Sequence, residues 1–227
     1  CGGAVCVFIR PGVWGGGAPT RGDGGAWGGG GGVFNTPRGA PPGGGRAPAE
    51  AEWISDAGDV KEAVLWFGTE PGAVRATLLP GPRTLLGRGL PDPAVRPVGR
   101  YLYEPDGAVI RAHLVAEVAA DLDGGLVDPT IAYITADELR ATDYATPYEI
   151  TDELPFNLKK LKALLREREV GNLTVKKRGS AVEPEELRRK VKPQGPNAAT
   201  VFLTRVAGAP TMLVGSPARP APGAGPS

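Results

Sequence analysis

The 227-residue sequence predicts an α+β (α/β) fold, on three observations. Short apolar runs with strand alternation, among them VRATLL, TIAYIT and PYEIT, are interleaved with helix-period stretches. Within 156–169, Leu158, Leu161 and Leu165 fall at i, i+3 and i+7 and make one apolar helical stripe. Dense Pro and Gly between the periodic segments, as in PGPRTLLGRGLPDPAVRP, separates them into units.

Taken in order, the chain opens on a glycine-rich leader. Of its 35 glycines, 18 lie in the first 45 residues, with too few aliphatic side chains among them to offset the entropy of ordering the chain. Residues 1–48 are therefore expected to be a disordered Gly/Pro-rich leader. Because the chain starts at Cys1 and its one methionine is Met212, the sequence is expected to be a fragment, with an artefactual leader favoured over a natural Gly-rich arm. The glycine cluster has neither Gly-x-Gly-x-x-Gly spacing nor a following Lys-Ser or Lys-Thr, so it does not read as a phosphate loop.

Residues 49–80 read as strand, helix, strand. EWIS is a short strand, Asp59 and Glu62 have the spacing of a capping box before a helix VKEAVLWF, and VRATLL is the second strand. Trp53 and Trp66 read as core anchors, and Trp53 with Leu65 as an exposed patch if neighbouring strands are missing. Residues 81–98 read as a linker. From 99 to 216 the pattern is compact: RYLYEPDGAVIRA gives a strand, a turn and a helix running toward Leu122, followed by the strands and helices of 128–216. Residues 217–227 read as a disordered tail.

Several kinds of chemistry are disfavoured. Cys1 and Cys6 are the two cysteines and His113 the one histidine, which is too few soft ligands for a zinc site and leaves no His-based triad without His113. His113 lies in the pattern IRAHLVAEVAADL and reads as a partly buried structural residue. Glu104, Asp106 and Arg111 read as a turn, a helix-capping carboxylate and a local ion pair rather than as catalytic groups. No run approaches the roughly 20 apolar residues of a membrane span, and no secretory signal is evident, so a cytoplasmic location is expected without membrane or metal partners.

Charge carries the functional signal. Residues 1–150 hold 12 basic and 18 acidic side chains, whereas 151–227 hold 14 basic and 7 acidic, so a net charge of +1 conceals two opposed halves. The helix at 156–169 lines a face apart from its leucines with Lys159, Lys162 and Arg166. In the strand after it, alternation places Lys176 and Arg178 on one face and turns Lys177 toward the apolar face. A second helix begins at Pro184, carries Glu185 and Glu186 early, and carries Arg188, Arg189 and Lys190 late. A solvated face, a nucleic-acid platform and a membrane-surface patch are all open at this point; surplus cations on three elements favour nucleic acid.

LPFNLKKLKALLREREVGNLTVKKRG, then PEELRRK, then AATVFLTRV, with GRYLYEPDGAVIRA upstream, resembles the THUMP-like domain at the C-terminus of bacterial, actinobacterial-type class I S-adenosylmethionine-dependent methyltransferases. EWISDAGDVKEAVLWFG and VRATLL are similar to the closing elements of the Rossmann-like catalytic sheet in those proteins. The resemblance implies that 49–80 is a remnant of that sheet and 99–216 a small THUMP-like αβ region. It also implies RNA binding, to tRNA or another structured RNA, for an attached catalytic domain. The phosphate-contacting residues expected are Lys159, Lys160, Lys176, Lys177, Arg178, Arg188, Arg189 and Arg205. S-adenosylmethionine is implied for a full-length parent; this chain lacks the cofactor motifs, so no catalytic or cofactor residue carries over and no activity is expected of it alone. The alternatives are a truncated record of an intact RNA methyltransferase and a module that docks an acidic protein.

Overall fold

The computed structural model describes residues 5–9, 50–67 and 72–219. Two sheets make up these residues. The first runs β1 (Val5–Ile9), β2 (Glu50–Asp56), β3 (Asp59–Phe67), β4 (Ala73–Leu79) and β5 (Arg83–Leu86) in the chain, and β1-β3-β2-β4-β5 across the sheet. β2 and β4 are parallel and the other pairs antiparallel.

The helix expected over VKEAVLWF is instead strand β3. Ala57 and Gly58 both take positive φ, 51° and 88°, which is the backbone of a two-residue hairpin turn, and β3 folds back on β2 in register from Asp59 opposite Asp56 to Trp66 opposite Glu50. Val60, Val64 and Trp66 are strand formers, and the Asp59 to Glu62 spacing carries no cap once the chain has turned. The leader departs from the expected disorder at Val5–Ile9, an apolar run that pairs with β3. The rest of the leader and residues 220–227 lie outside the described residues.

The linker expected over 81–98 is partly a strand, β5, and the remainder is stitched to both sheets. Gly87 N–H donates to the Val74 carbonyl at 2.8 Å, Arg96 N–H to Leu126 and Leu126 N–H to Ala94, both at 2.9 Å. The Arg88 guanidinium reaches the Glu117 carbonyl and Asp121.

The second sheet takes β6 (Tyr101–Pro105), β7 (Gly125–Asp128), β8 (Ile131–Ala136), β9 (Ala145–Pro155), β10 (Val170–Lys177), β11 (Asn197–Val206) and β12 (Ala209–Pro217) in the order β10-β11-β12-β9-β6-β8-β7. α1 (Gly107–Arg111) and α2 (Val115–Asp121) lie between β6 and β7, α3 (Leu158–Glu167) between β9 and β10, and α4 (Pro184–Val191) between β10 and β11. The parallel pair β10/β11 follows from the α4 crossover. The single helix expected toward Leu122 is broken into α1 and α2 at His113, whose φ is 58°. His113 is exposed there, not partly buried, because the break turns it away from the stripe formed by Ala108, Val109, Val118 and Ala119.

Three cores follow from strand alternation. One lies between the sheets and holds Trp53, Ala76, Tyr101, Tyr103, Ile134 and the buried faces of α1 and α2; Trp53 is therefore covered, not part of an exposed patch. A second lies beneath α3 and α4, where Leu161, Leu165, Leu187 and Val191 pack on Leu173, Val175, Val201 and Met212. The third, on the opposite face of the same sheet, joins Leu102, Tyr133, Tyr148, Phe202 and Leu213. That face is concave, since the β11–β12 turn returns to β7: Ala207 N–H donates to the Val127 carbonyl at 2.9 Å and Gly208 N–H to Asp128 at 2.7 Å.

Candidate nucleic-acid interface

α3 starts where the Asn157 side-chain oxygen accepts from the Lys159 and Lys160 N–H groups at 3.0 and 3.1 Å, satisfying two otherwise unpaired helix donors. With Leu161 and Leu165 buried, the outer face must carry Lys159, Lys160, Lys162 and Arg166, and all four are exposed. None of them is in an ion pair among the described residues.

α4 begins at Pro184, ends at Lys192 in the left-handed region (φ 50°), and buries Leu187 and Val191. Its charges are largely internal. Arg188 pairs with Glu185 and donates from Nε to the Leu173 carbonyl at 3.2 Å; Lys190 donates to Glu186 at 2.6 Å. The Glu186 carboxyl is held below its ordinary pKa first by the Lys190 hydrogen bond, then by the Lys190 and Arg189 charges. Lys177 pairs with Glu183 at 2.5 Å. Arg189 and Lys192 are exposed and in no ion pair among the described residues.

Lys176 and Arg178 do not join this layer. Alternation puts Leu173 and Val175 under the helices, so Lys176 and Arg178 face the third core on the other side of the sheet. There they share Glu104, Lys176 through Oε2 and Arg178 at 3.7 Å through Oε1. The Lys176 Nζ lies 5.4 Å from the Tyr148 ring centroid, and the Arg178 guanidinium carbon 5.3 Å from that of Tyr133. Burial works to lower the Lys176 pKa, but hydrogen bonds to Glu104 and Tyr148 and the Glu104 charge override it and hold the ammonium above its ordinary value. Tyr133 is raised, first by burial and then by the Glu104 charge. Arg205 is also outside the layer: it donates to the Thr130 hydroxyl at 2.7 Å beside Asp128.

The eight cations expected from the sequence thus fall in two places. Lys159, Lys160, Arg188 and Arg189 sit on the helix layer with Lys177 at its flank, whereas Lys176, Arg178 and Arg205 hold the curled sheet together. A single cationic exterior is not formed, because helices that cover one face of a strand leave its alternate residues on the other. Glu104 is not locally paired with Arg111, and Asp106 caps α1 by accepting from Ala108 N–H at 2.8 Å. Lys192 was not among the expected contacts. Its signal was the helix end at Lys-Pro, which places a cation at a left-handed cap.

In the first sheet, Glu52 accepts from the Trp66 indole at 3.1 Å and from Thr77 at 2.6 Å, and Arg75 pairs with Glu50 and stacks on Trp66. Trp66 is thus tied to a polar network rather than to the core between the sheets. Glu50 and Glu52 are buried and already matched, so neither is free to hold the ribose of S-adenosylmethionine.

Comparison with known proteins agrees with this architecture. The THUMP domain-like family matches residues 145–217. S-adenosylmethionine-dependent methyltransferases from two strains of Mycobacterium tuberculosis, both described as uncharacterized, are 33% identical over 160 residues, covering 69% of this chain and 44% of their own length. A crystal structure from Porphyromonas gingivalis, described as a methyltransferase, superposes with a TM-score of 0.63 at 21% identity, over 76% of this chain and 46% of that one, and shows the shared fold. The chain is a protein related to S-adenosylmethionine-dependent methyltransferases. Its residues 145–217 are a THUMP-like domain, and it spans less than half the length of the curated relatives it matches. No helix among the described residues is long and apolar enough to cross a membrane.

Proposed function

We propose that the THUMP-like domain binds structured RNA, tRNA or an RNA of similar compactness, and holds it for an S-adenosylmethionine-dependent methyltransferase domain of the longer protein. The observation that carries this reading is the contrast in charge pairing. Lys159, Lys160, Lys162, Arg166, Arg189 and Lys192 gather on the helix layer with no ion pair among the described residues, beside the paired Lys177, Arg188 and Lys190. Elsewhere Arg75, Arg83, Arg88, Arg100, Arg140 and Arg168 each have a carboxylate partner, and the unpaired Arg96, Arg111, Arg205 and Arg219 are scattered rather than gathered on one element pair. Unpaired cations on a rigid ridge are what a phosphate backbone needs, and they position it without reading sequence. Lys159, Lys162 and Arg166 recur at i, i+3 and i+7, so successive cations of the ridge stand about 4.5 and 6 Å apart along the helix axis.

Titration of a fluorescent structured RNA against salt tests it. Each lost phosphate contact should flatten the slope of log affinity against log salt by about 0.7–0.9. Replacing Lys159, Lys162 and Arg166 with Ala should therefore flatten it by about two to three. An unchanged slope removes α3 from the interface, and displacement of the RNA by an acidic protein but not by bulk RNA would favour a protein partner instead.

A further inference from the structure

Between the C-terminal ends of α3 and α4 lies an open hollow of about 350 Å³. Lys162, Arg166 and Lys192 stand at its rim with Glu169 as the one carboxylate, and Leu165, Val170 and Val191 form its floor. We infer that this hollow takes a single nucleotide unit, with the phosphate among the three cations and the base or sugar on the apolar floor. The inference rests on the RNA-binding reading and adds a defined pocket to it.

Three cations around one carboxylate repel one another, and Lys162 with Arg166 is an unfavourable i, i+4 like-charge pair. Cations near helix ends have an ordinary role against terminal carbonyls, which would suffice for Arg166 and Lys192. Here several of those carbonyls are already satisfied by the backbone and by Asn197. Leu164 O accepts from Arg168 N–H, Arg166 O from Glu169 N–H, and Arg188 O from Lys192 N–H, at 3.0, 3.0 and 2.9 Å. Arg168 O accepts from the Asn197 amide at 2.9 Å and Glu169 O from Asn197 N–H at 3.0 Å. The side-chain charges are left over, and Lys162, in mid-helix, is not accounted for by the helix end at all.

Size selects the ligand. A water molecule takes about 30 Å³ of liquid volume, so a bare phosphate fills a small part of the hollow, whereas its volume falls within the range of small-ligand pockets, which begin at about 300 Å³. The walls are preformed: Lys192 is fixed at φ 50° ahead of Pro193, and Gly171 and Gly195 pack backbone to backbone where a Cβ would collide with the Gly195 and Glu169 carbonyls. Affinity is thus not spent on ordering a loop.

The test uses the isotope-labelled full chain, titrated separately with adenosine monophosphate, inorganic phosphate and a structured RNA, for wild type and for Gln194→Trp. Gln194 is an exposed rim residue, and an indole there fills the hollow without changing charge. The expected result is that the mononucleotide shifts the amide signals of Lys162, Val170, Lys192 and Gly195, and that Gln194→Trp weakens it by about tenfold or more. Equal binding of inorganic phosphate would reduce the hollow to an anion site and overturn nucleotide recognition. RNA binding that leaves the hollow's signals unmoved would overturn the pocket while sparing the RNA-binding reading. Mononucleotide binding without any RNA binding would do the reverse. Wild-type chemical-shift dispersion in Gln194→Trp reports that the variant is folded.

Discussion

Glu104 on β6 and Lys176 on β10 are 72 residues apart in the chain, yet their side chains are paired on the concave face of the curled sheet, with Arg178 on the second oxygen of the same carboxylate. Glu104, Lys176 and Arg178 are 20–31% exposed, so the triad is partly withdrawn from water.

Replacing Glu104 with Gln leaves two half-buried cations sharing a neutral amide. The expected loss is about 1–3 kcal/mol in urea unfolding, larger than for a surface pair because the partners are left without a counter-charge. Replacing Lys176 and Arg178 together with Ala should lower stability while leaving the RNA salt slope where it was. A flattened slope at wild-type stability would place those two residues in the interface after all.

Asp128 pins two turns. One oxygen accepts from Thr130 N–H and Oγ at 2.9 and 2.6 Å, and the other from Gly208 N–H at 2.7 Å. Burial pushes its pKa up, but these hydrogen bonds and the nearby Arg205 outweigh burial and hold the carboxyl below its ordinary value. A lowered folded-state pKa means the stabilisation is present above the unfolded carboxyl's range and is lost as pH falls through the folded value. Asp128→Asn turns an N–H toward one of those donors and should lower stability by about 1–3 kcal/mol at neutral pH. The variant should also show a shallower acid limb in its stability profile; identical limbs for both proteins would contradict the assignment.

Gly195 has φ +139°, and a Cβ there would collide with the Glu169 carbonyl. Gly195→Ala should lower the thermal midpoint by several degrees, in line with an overpacking penalty of about 1–3 kcal/mol. A midpoint within a degree of wild type would show that the loop yields freely.

In the first sheet, Thr77 donates to Glu52 and lies 3.0 Å from the Thr84 hydroxyl. Thr77→Val keeps the shape and removes the donor to a buried carboxylate, and should lower chemical stability by about 1–3 kcal/mol. Thr84→Val, which leaves the Glu52 bond in place, is the control expected to change it less.

The helix layer was legible in the sequence because its signals agree with one another. The Leu158, Leu161 and Leu165 stripe, Pro184 at a first turn, and the alternation of Leu173 and Val175 against Lys176 and Arg178 each report local geometry. What the same alternation implied was harder to see: helices seated on Leu173 and Val175 send Lys176 away from Lys159. β3 was misread because Asp59 and Glu62 mimic a cap, while the deciding feature, positive φ at Ala57 and Gly58, belongs to a turn whose residues are not the usual Asn-Gly. Glu104 was beyond reach, since nothing within ten residues of it marks a partner 72 positions away.

Strand β9 is eleven residues long and serves two neighbours: its first half pairs with β6 and its second half with β12. The stretch matched as THUMP-like begins at residue 145, the first residue of that strand, so the match cuts along a seam of ladder bonds rather than through a loose connection. Excised there, the segment would present a bare strand flank and half of a concave core, lacking Leu102, Val127, Ile131 and Tyr133. The smallest autonomous piece of this protein is accordingly larger than the stretch matched as THUMP-like, and it must reach back at least to β6.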